Sequence, residues 1–329
     1  MPSPSPFDRD TLIAAITRFL TGLDPELLCA VRQALEREID LAGPSALAAL
    51  AARLTLPAAD WSYYEADPLA RRIHHAIADR LLDPDSTLLG VEYAGAVGDR
   101  PVVIVANHLS YSDANLLEVL LHRGGASALA GRLTVVAGPK VYASTRRRFS
   151  SLCFGTISVP QSSARSSEDA VMNPRDVARG ARRSIAIAHA RLQLGEALLV
   201  FAEGARSRTA EMQPMLAAAS RYLDRPGTWV LPAGITGTEA MFPVGEDRLY
   251  PSRIVAALGA PISADDLRAQ AGGDRRLTMD AIGVAIASLL PATYRGVYGR
   301  ETDFHEARAV LAALQPAVSQ LVRGSRTPC

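Results

Sequence analysis

The chain has 329 residues, 48% hydrophobic and 21% charged, with a formal net charge of +1. Those proportions exclude a disordered polymer and supply enough apolar material for a full core, so one large domain with a helical appendage is expected. Aromatic residues make up 5% and do not interleave with the basic runs, which argues against nucleic-acid binding.

Residues 8–84 read as helices throughout. Leu12, Ile13, Ile16, Phe19, Leu20 and Leu23 form one apolar stripe, and Asp24-Pro25 caps and starts a second helix. The Ala/Leu-rich run 45–52, stopped by Arg53, reads as a core helix. Asp67-Pro68 starts another, which carries His74 and Asp79. From Leu88 onward strand patterns alternate with helical ones. Strands are predicted at 89–94, 102–106, 133–137, 156–159, 197–201, 230–235 and 254–258. Helices are predicted at 113–121, 174–194, 212–223 and 279–290, with a last amphipathic helix over 301–322 bent at Pro316. This pattern predicts an α/β domain over residues 85–329, a mixed sheet flanked by helices, preceded by an all-helical amino-terminal unit over residues 1–84.

The most informative stretch is Asn107-His108 followed by Asp113, just past the apolar run 102–106. Five residues along a helix put two side chains roughly 140° apart, and an odd offset along a strand puts them on opposite faces. A turn brings His108 and Asp113 together, and the helical spacing that opens at Asp113 places a turn between them. An imidazole held by a carboxylate in an irregular segment suits general-base catalysis, because the carboxylate sets the tautomer and stabilises the imidazolium. The alternative is a solvated histidine beside a helix-capping aspartate. His74 and Asp79 share the spacing but sit within one helix, so their side chains point apart.

A second polar turn, Glu203-Gly204-Ala205-Arg206-Ser207-Arg208-Thr209, follows the strand pattern at 197–201. A strand, a glycine-containing turn and a helix form the place where α/β proteins bind ligands. Two arginines beside a glycine offer planar forks and backbone N–H groups to a phosphate, with Glu203 expected to hold one fork. A solvated charged turn is the competing reading.

Together the two stretches resemble the glycerolipid acyltransferase superfamily, which includes lysophosphatidate and glycerol-3-phosphate acyltransferases. Its N-H-x-x-x-x-D motif corresponds to Asn107, His108 and Asp113, and its F-P-E-G-T-R-S-R motif to Phe201-Ala202-Glu203-Gly204-Ala205-Arg206-Ser207-Arg208. Similar blocks lie at 155–160 and 230–237, and the resemblance covers roughly residues 85 to 262. Ala202 and Ala205 stand where the family usually has proline and threonine. Pro160 and Gln161 stand where it usually has an arginine that helps hold the acceptor phosphate.

The resemblance implies acyl transfer from acyl-CoA or acyl carrier protein to a hydroxyl of glycerol 3-phosphate or a lysophospholipid. His108 would be the base, Asp113 its support, and Glu203, Gly204, Arg206 and Arg208 the acceptor site. Lys140, the sole lysine in the sequence, follows the strand pattern at 133–137, where the family often has a basic residue facing the acceptor. No metal and no cofactor beyond the acyl donor is expected. No G-x-S-x-G elbow occurs, which argues against the usual serine-hydrolase route. An acyltransferase for a non-phosphorylated lipid or metabolite, and an acyl thioesterase, remain alternatives.

Three cysteines, Cys29, Cys153 and Cys329, lack metal-ligand spacing and cannot all pair, which suits a reducing cytosol. Cys29 and Cys153 read as buried small hydrophobes and Cys329 as a frayed end. No run approaches the roughly 18 apolar residues of a membrane span, and the start of the chain does not resemble a signal peptide. Residues 131–225 carry 15 basic and 7 acidic side chains, a surplus of +8. A cytoplasmic protein is therefore expected, with peripheral contact to the anionic inner membrane face as a further expectation.

Overall fold

The computed structural model describes residues 8–20, 22–55, 62–138, 145–160, 174–246, 248–300 and 302–324. The expectations placed on Lys140, Gln161 and Cys329 fall outside them. Asp8 caps α1 (Arg9–Thr17) by accepting the Thr11 N–H at 2.8 Å. The predicted stripe buries Leu12, Ile13, Ile16 and Leu20. Asp24 likewise accepts from Glu26 at 2.8 Å at the start of α2 (Pro25–Thr55). That helix is two helices meeting at Gly43, whose φ of 77° lies in the left-handed region, because the next residue is Pro44. Proline has no N–H to continue the ladder but suits the first turn of a new helix. Arg53 does not stop the second half, which runs on to Thr55, and instead pairs with Asp67 at 3.3 Å.

Among the described residues 8–84, the two-residue strand β1 (Tyr63–Tyr64) departs from the helical reading. It is followed by α3 (Pro68–Leu81), capped by Asp67 through the Leu69 and Ala70 N–H groups. Then come β2 (Thr87–Leu89), α4 (Val91–Val97), β3 (Val102–Ala106), α5 (Asp113–Arg123), α6 (Ser127–Gly131), β4 (Leu133–Ala137), α7 (Thr145–Ser151) and β5 (Gly155–Ser158). The second half contains α8 (Pro174–Gln193), β6 (Ala197–Phe201), β7 (Trp229–Thr236), α9 (Thr238–Met241), β8 (Val255–Leu258), β9 (Ile262–Ser263), α10 (Ala264–Gln270), α11 (Arg275–Ser288) and α12 (His305–Gly324).

Two predicted elements are corrected. The strand expected at 89–94 ends at Leu89, and the chain turns at Gly90, φ 70°, into α4. A Cβ at Gly90 would sit 2.3 Å from the Leu258 carbonyl oxygen. Val91, Ala94 and Val97 recur every third residue, a spacing that a helix gathers on one side. The helix expected at 212–223 is irregular up to Leu216, followed by a 3-10 helix at Ala217–Leu223. Its N–H groups are taken elsewhere: Met212 donates to the Tyr294 carbonyl at 2.9 Å, Met215 to the Tyr298 hydroxyl at 2.9 Å and Leu216 to the Ala202 carbonyl at 2.7 Å. Backbone groups satisfied by tertiary partners have no need of an α-helical ladder. Cys153 is buried as expected, whereas Cys29 is exposed on the outer side of α2.

Among the described residues the strands form one nine-stranded mixed sheet, ordered β1-β5-β4-β6-β3-β7-β8-β2, with β9 pairing to β7. The four central strands β4, β6, β3 and β7 are parallel neighbours. Successive residues of β3 serve two cores, as a strand covered on both faces requires. Val102, Ile104 and Ala106 join a cluster with Leu12, Leu35, Leu50, Ile73 and Leu117. Val103 and Val105 join a second cluster with Leu192, Ile282 and Val310. The amino-terminal helices and α5 thus cover one face, and α8, α10, α11 and α12 the other. Among the described residues no helix is long and apolar enough to cross a membrane.

Candidate active site

The register of the three central strands sets the site. Ala106, the last residue of β3, lies level with Phe201 of β6 and Ala233 of β7. The two polar turns therefore leave neighbouring strands at the same edge, outside their carboxyl ends, where the chain diverges to opposite faces of the sheet. Asn107 locks the first turn against β7. Its amide nitrogen donates to the Ile235 carbonyl at 2.9 Å, and its oxygen accepts the Ile235 N–H at 2.8 Å.

His108 Nδ1 lies 2.8 Å from Asp113 Oδ2, as the spacing predicts. Asp113 is fully buried, and its two oxygens accept from three further donors. These are the Leu109 N–H at 2.7 Å, the Ser110 N–H at 3.0 Å and the Thr238 hydroxyl at 2.5 Å. An acceptor surrounded by donors requires Nδ1 to carry the proton, which leaves Nε2 as a bare lone pair. The ring also stacks on Phe201, with centroids 4.3 Å apart and planes inclined by 21°. Its orientation is thus held by a charge and a face, while 18% of the side chain stays accessible.

Glu203 plays a different part from the one expected. Its carboxylate is buried and accepts the backbone N–H of His108 at 2.8 Å and of Gln213 at 2.6 Å. It therefore joins the two motif turns and does not pair with Arg206 or Arg208. Burial pushes its carboxyl up to about 7; the Gln213 and His108 N–H groups pull the other way, and the nearby Asp113 charge adds to the rise. The Ser207 N–H donates to the His108 carbonyl at 2.8 Å, a third tie between the turns. Gly204 sits in this turn with a φ of 76°.

A cavity of about 190 Å³ opens beside His108, room for many atoms where a water needs about 15 Å³. Its deep wall is apolar, formed by Leu20, Ile77, Leu81, Leu116, Phe149 and Met241. Near His108 the wall becomes polar, with Tyr111 and Arg147. The Arg206 guanidinium carbon lies 3.6 Å from the centre of the Tyr111 ring, and Arg206 makes no ion pair among the described residues. Arg208 is exposed and does not line the cavity. The control pair behaves as expected: His74 Nε2 donates to the Asn115 carbonyl at 3.0 Å, and Asp79 pairs with Arg123. His74 nevertheless forms part of the cavity wall, and burial lowers its pKa.

Reasoning from the sequence missed Thr238, Phe201 in its stacking role, Tyr111 and Arg147. Thr238 stands one residue past the block at 230–237 and has no signal of its own. Arg147 registered only as charge in a run of three arginines. Chemically, the arrangement offers an oriented base beside an apolar cavity, with cationic and aromatic groups at the same opening.

Residues 87–236 match the family model described as Acyltransferase. The chain is similar in structure to the crystal structure of the 1-acyl-sn-glycerophosphate (LPA) acyltransferase PlsC from Thermotoga maritima, at 16% identity and a TM-score of 0.42, over 98% of each chain. No curated protein sequence matches. The segment similar to that family runs from β2 through β7 and holds both motif turns.

Proposed function

We propose that this protein is a member of the glycerolipid acyltransferase superfamily and moves a fatty acyl group from acyl-CoA or acyl carrier protein to a hydroxyl of glycerol 3-phosphate or a lysophospholipid. The observation that carries the reading is the His108 imidazole, with Nδ1 held by Asp113 and the ring facing an apolar cavity. In the proposed reaction Nε2 takes the proton of the acceptor hydroxyl, and the oxygen attacks the thioester carbonyl. The C–S bond then breaks, and the departing thiolate takes the proton back from the imidazolium. No acyl-enzyme is required, because a thiolate leaves readily and base catalysis with positioning suffices. The cavity takes the acyl chain and Arg206 the acceptor's anionic group, with Arg208 and Lys140 as further contacts.

On this reading no cofactor is bound besides the donor, and the protein works in the cytoplasm. The basic surplus of residues 131–225 supports peripheral contact with an anionic membrane, screened by salt. The Pro160-Gln161 departure favours one second reading, a non-phosphorylated acceptor. The deciding experiment incubates purified protein with acyl-CoA or acyl carrier protein donors and a panel of phosphorylated and neutral hydroxyl acceptors, with products identified by mass spectrometry. His108→Ala should lower kcat by about 10² to 10⁴ while circular dichroism stays unchanged. Normal turnover by that variant would remove His108 from the mechanism.

A further inference from the structure

Two supports hold His108, and both run on to one residue. Asp113 holds the ring, and Thr238, the first residue of α9, donates to Asp113. Glu203 holds the His108 N–H, and the same carboxylate accepts from Gln213. Tyr294, in the 3-10 turn Ala292–Tyr294, touches the chain neighbour of each support. Its hydroxyl donates to Glu239 at 2.5 Å, and its carbonyl accepts the Met212 N–H at 2.9 Å. The two backbones pack closely there: a Cβ on Gly296 would lie 2.1 Å from the Met212 carbonyl oxygen, which also accepts the Val297 N–H at 3.2 Å. α9 has four residues, a single turn, too short to keep its direction by its own ladder. Among the described residues the Tyr294 hydroxyl is the one donor to the Glu239 carboxylate, whose second oxygen is buried without a hydrogen-bond partner. Burial pushes the Tyr294 phenol up to about 12 and Glu239 adds to the rise, so the hydroxyl keeps its proton and acts as a donor near neutral pH.

We propose that Tyr294 is a positioning residue for the His108–Asp113 pair, fixing α9 behind Asp113 and the Met212–Gln213 backbone behind Glu203 against one another. For its kinetics the inference rests on the acyl-transfer reading, and it extends the site to a residue outside the segment 87–236. Among the described residues neither Tyr294 nor Glu239 lines the cavity, so their loss leaves the substrate contacts in place. A general base works only within hydrogen-bond reach of the hydroxyl it deprotonates, and a misplacement of about 1 Å costs about 10² in rate. The effect of losing the Tyr294 tie therefore falls on kcat and not on KM.

The test compares wild type with Tyr294→Phe, Glu239→Ala and Glu239→Gln, using acyl-CoA as donor and lysophosphatidate or glycerol 3-phosphate as acceptor. Tyr294→Phe keeps the ring and the carbonyl that holds Met212 and removes only the tie to α9. It should lower kcat about tenfold while KM for donor and acceptor stays within about twofold. Glu239→Ala should match it. Glu239→Gln keeps an oxygen for the Tyr294 hydroxyl and should recover most of the loss. A second readout needs no substrate: in protein carrying isotope-labelled histidine, the His108 Nδ1–H resonance is identified by its absence in His108→Ala. That resonance should shift or broaden in Tyr294→Phe and Glu239→Ala and hold its position in Glu239→Gln. A normal kcat or an unmoved His108 resonance in folded Tyr294→Phe overturns the proposal and leaves the acyl-transfer reading standing. A loss confined to KM or to Tm also overturns it, by making the tie a matter of substrate contact or of folding alone. If Tyr294→Phe does not fold, the two Glu239 variants are read in the same way. Wild type inactive with every donor and acceptor overturns the acyl-transfer reading instead, and the resonance then decides the positioning role by itself.

Discussion

Glu203 shows how one buried carboxyl ties the two motif turns to folding. Its pKa is raised from the ordinary 4.5 to about 7, chiefly by burial. A folded-state pKa above the unfolded value contributes stability that is present in full below the unfolded pKa and is lost as pH rises through the folded one. The interval corresponds to about 3 kcal/mol at most. Glu203→Gln removes the titration and leaves one of the two backbone N–H groups facing an amide NH₂. Denaturant unfolding at about pH 5, 6, 7 and 8 should therefore show the wild-type stability falling relative to Glu203→Gln as pH rises. A difference that stayed constant over that range would falsify the assignment. At this scale the pairing of His108 with Asp113 was legible, because spacing and a strand boundary leave a turn as the one way to join them. Glu203's role was not. A glutamate beside two arginines reads as an ion pair, and only the folded chain brings the His108 N–H from 95 positions away to its oxygen.

At the scale of elements, α3 forms part of the cavity wall. Its Ile77 and Leu81 project from a capped helix into the cavity beside His108. Ile77→Phe should fill part of that space and move donor preference toward shorter acyl chains. The kcat/KM for the longest donor should fall about tenfold or more, because each methylene that loses its place costs 1 to 3 kcal/mol. Overpacking should cost stability by about 1 to 3 kcal/mol, visible as a lowered Tm. An unchanged chain-length profile in a folded variant would mean that the acyl chain runs elsewhere. The strands at 102–106, 133–137 and 197–201 match their predicted limits, since short apolar runs bounded by turn residues have no other stable use in a parallel sheet. The helix expected at 212–223 failed because Tyr294, Tyr298 and Ala202 take its backbone donors, partners that local periodicity cannot reveal.

At the scale of the whole molecule, the amino-terminal helices form one layer over the sheet. Leu12, Leu35, Leu50 and Ile73 belong to the same cluster as Ile104 and Leu117. Deleting residues 1–61 would expose that side of the core. The shortened chain should be insoluble, or soluble only with strong binding of a hydrophobic dye. A monodisperse 62–329 protein with native circular dichroism would show that the sheet layer stands alone.

The sequence by itself determined the class of the fold, the sheet's central strands and the two motif turns, because each depends on local periodicity, capping or turn chemistry. Strand order determined the rest. β6 inserts between β4 and β3, and β7 takes the other side of β3, so Phe201 meets the His108 ring, Glu203 the His108 N–H and Thr238 its partner Asp113, while Asn107 ties the turn to β7. The convergence of Arg147 and Arg206 on Tyr111 is equally a product of packing. Such contacts join residues tens to more than a hundred positions apart, and the physical reason they escape a linear reading is that their partners are chosen by the path of the backbone, not by their neighbours in the chain.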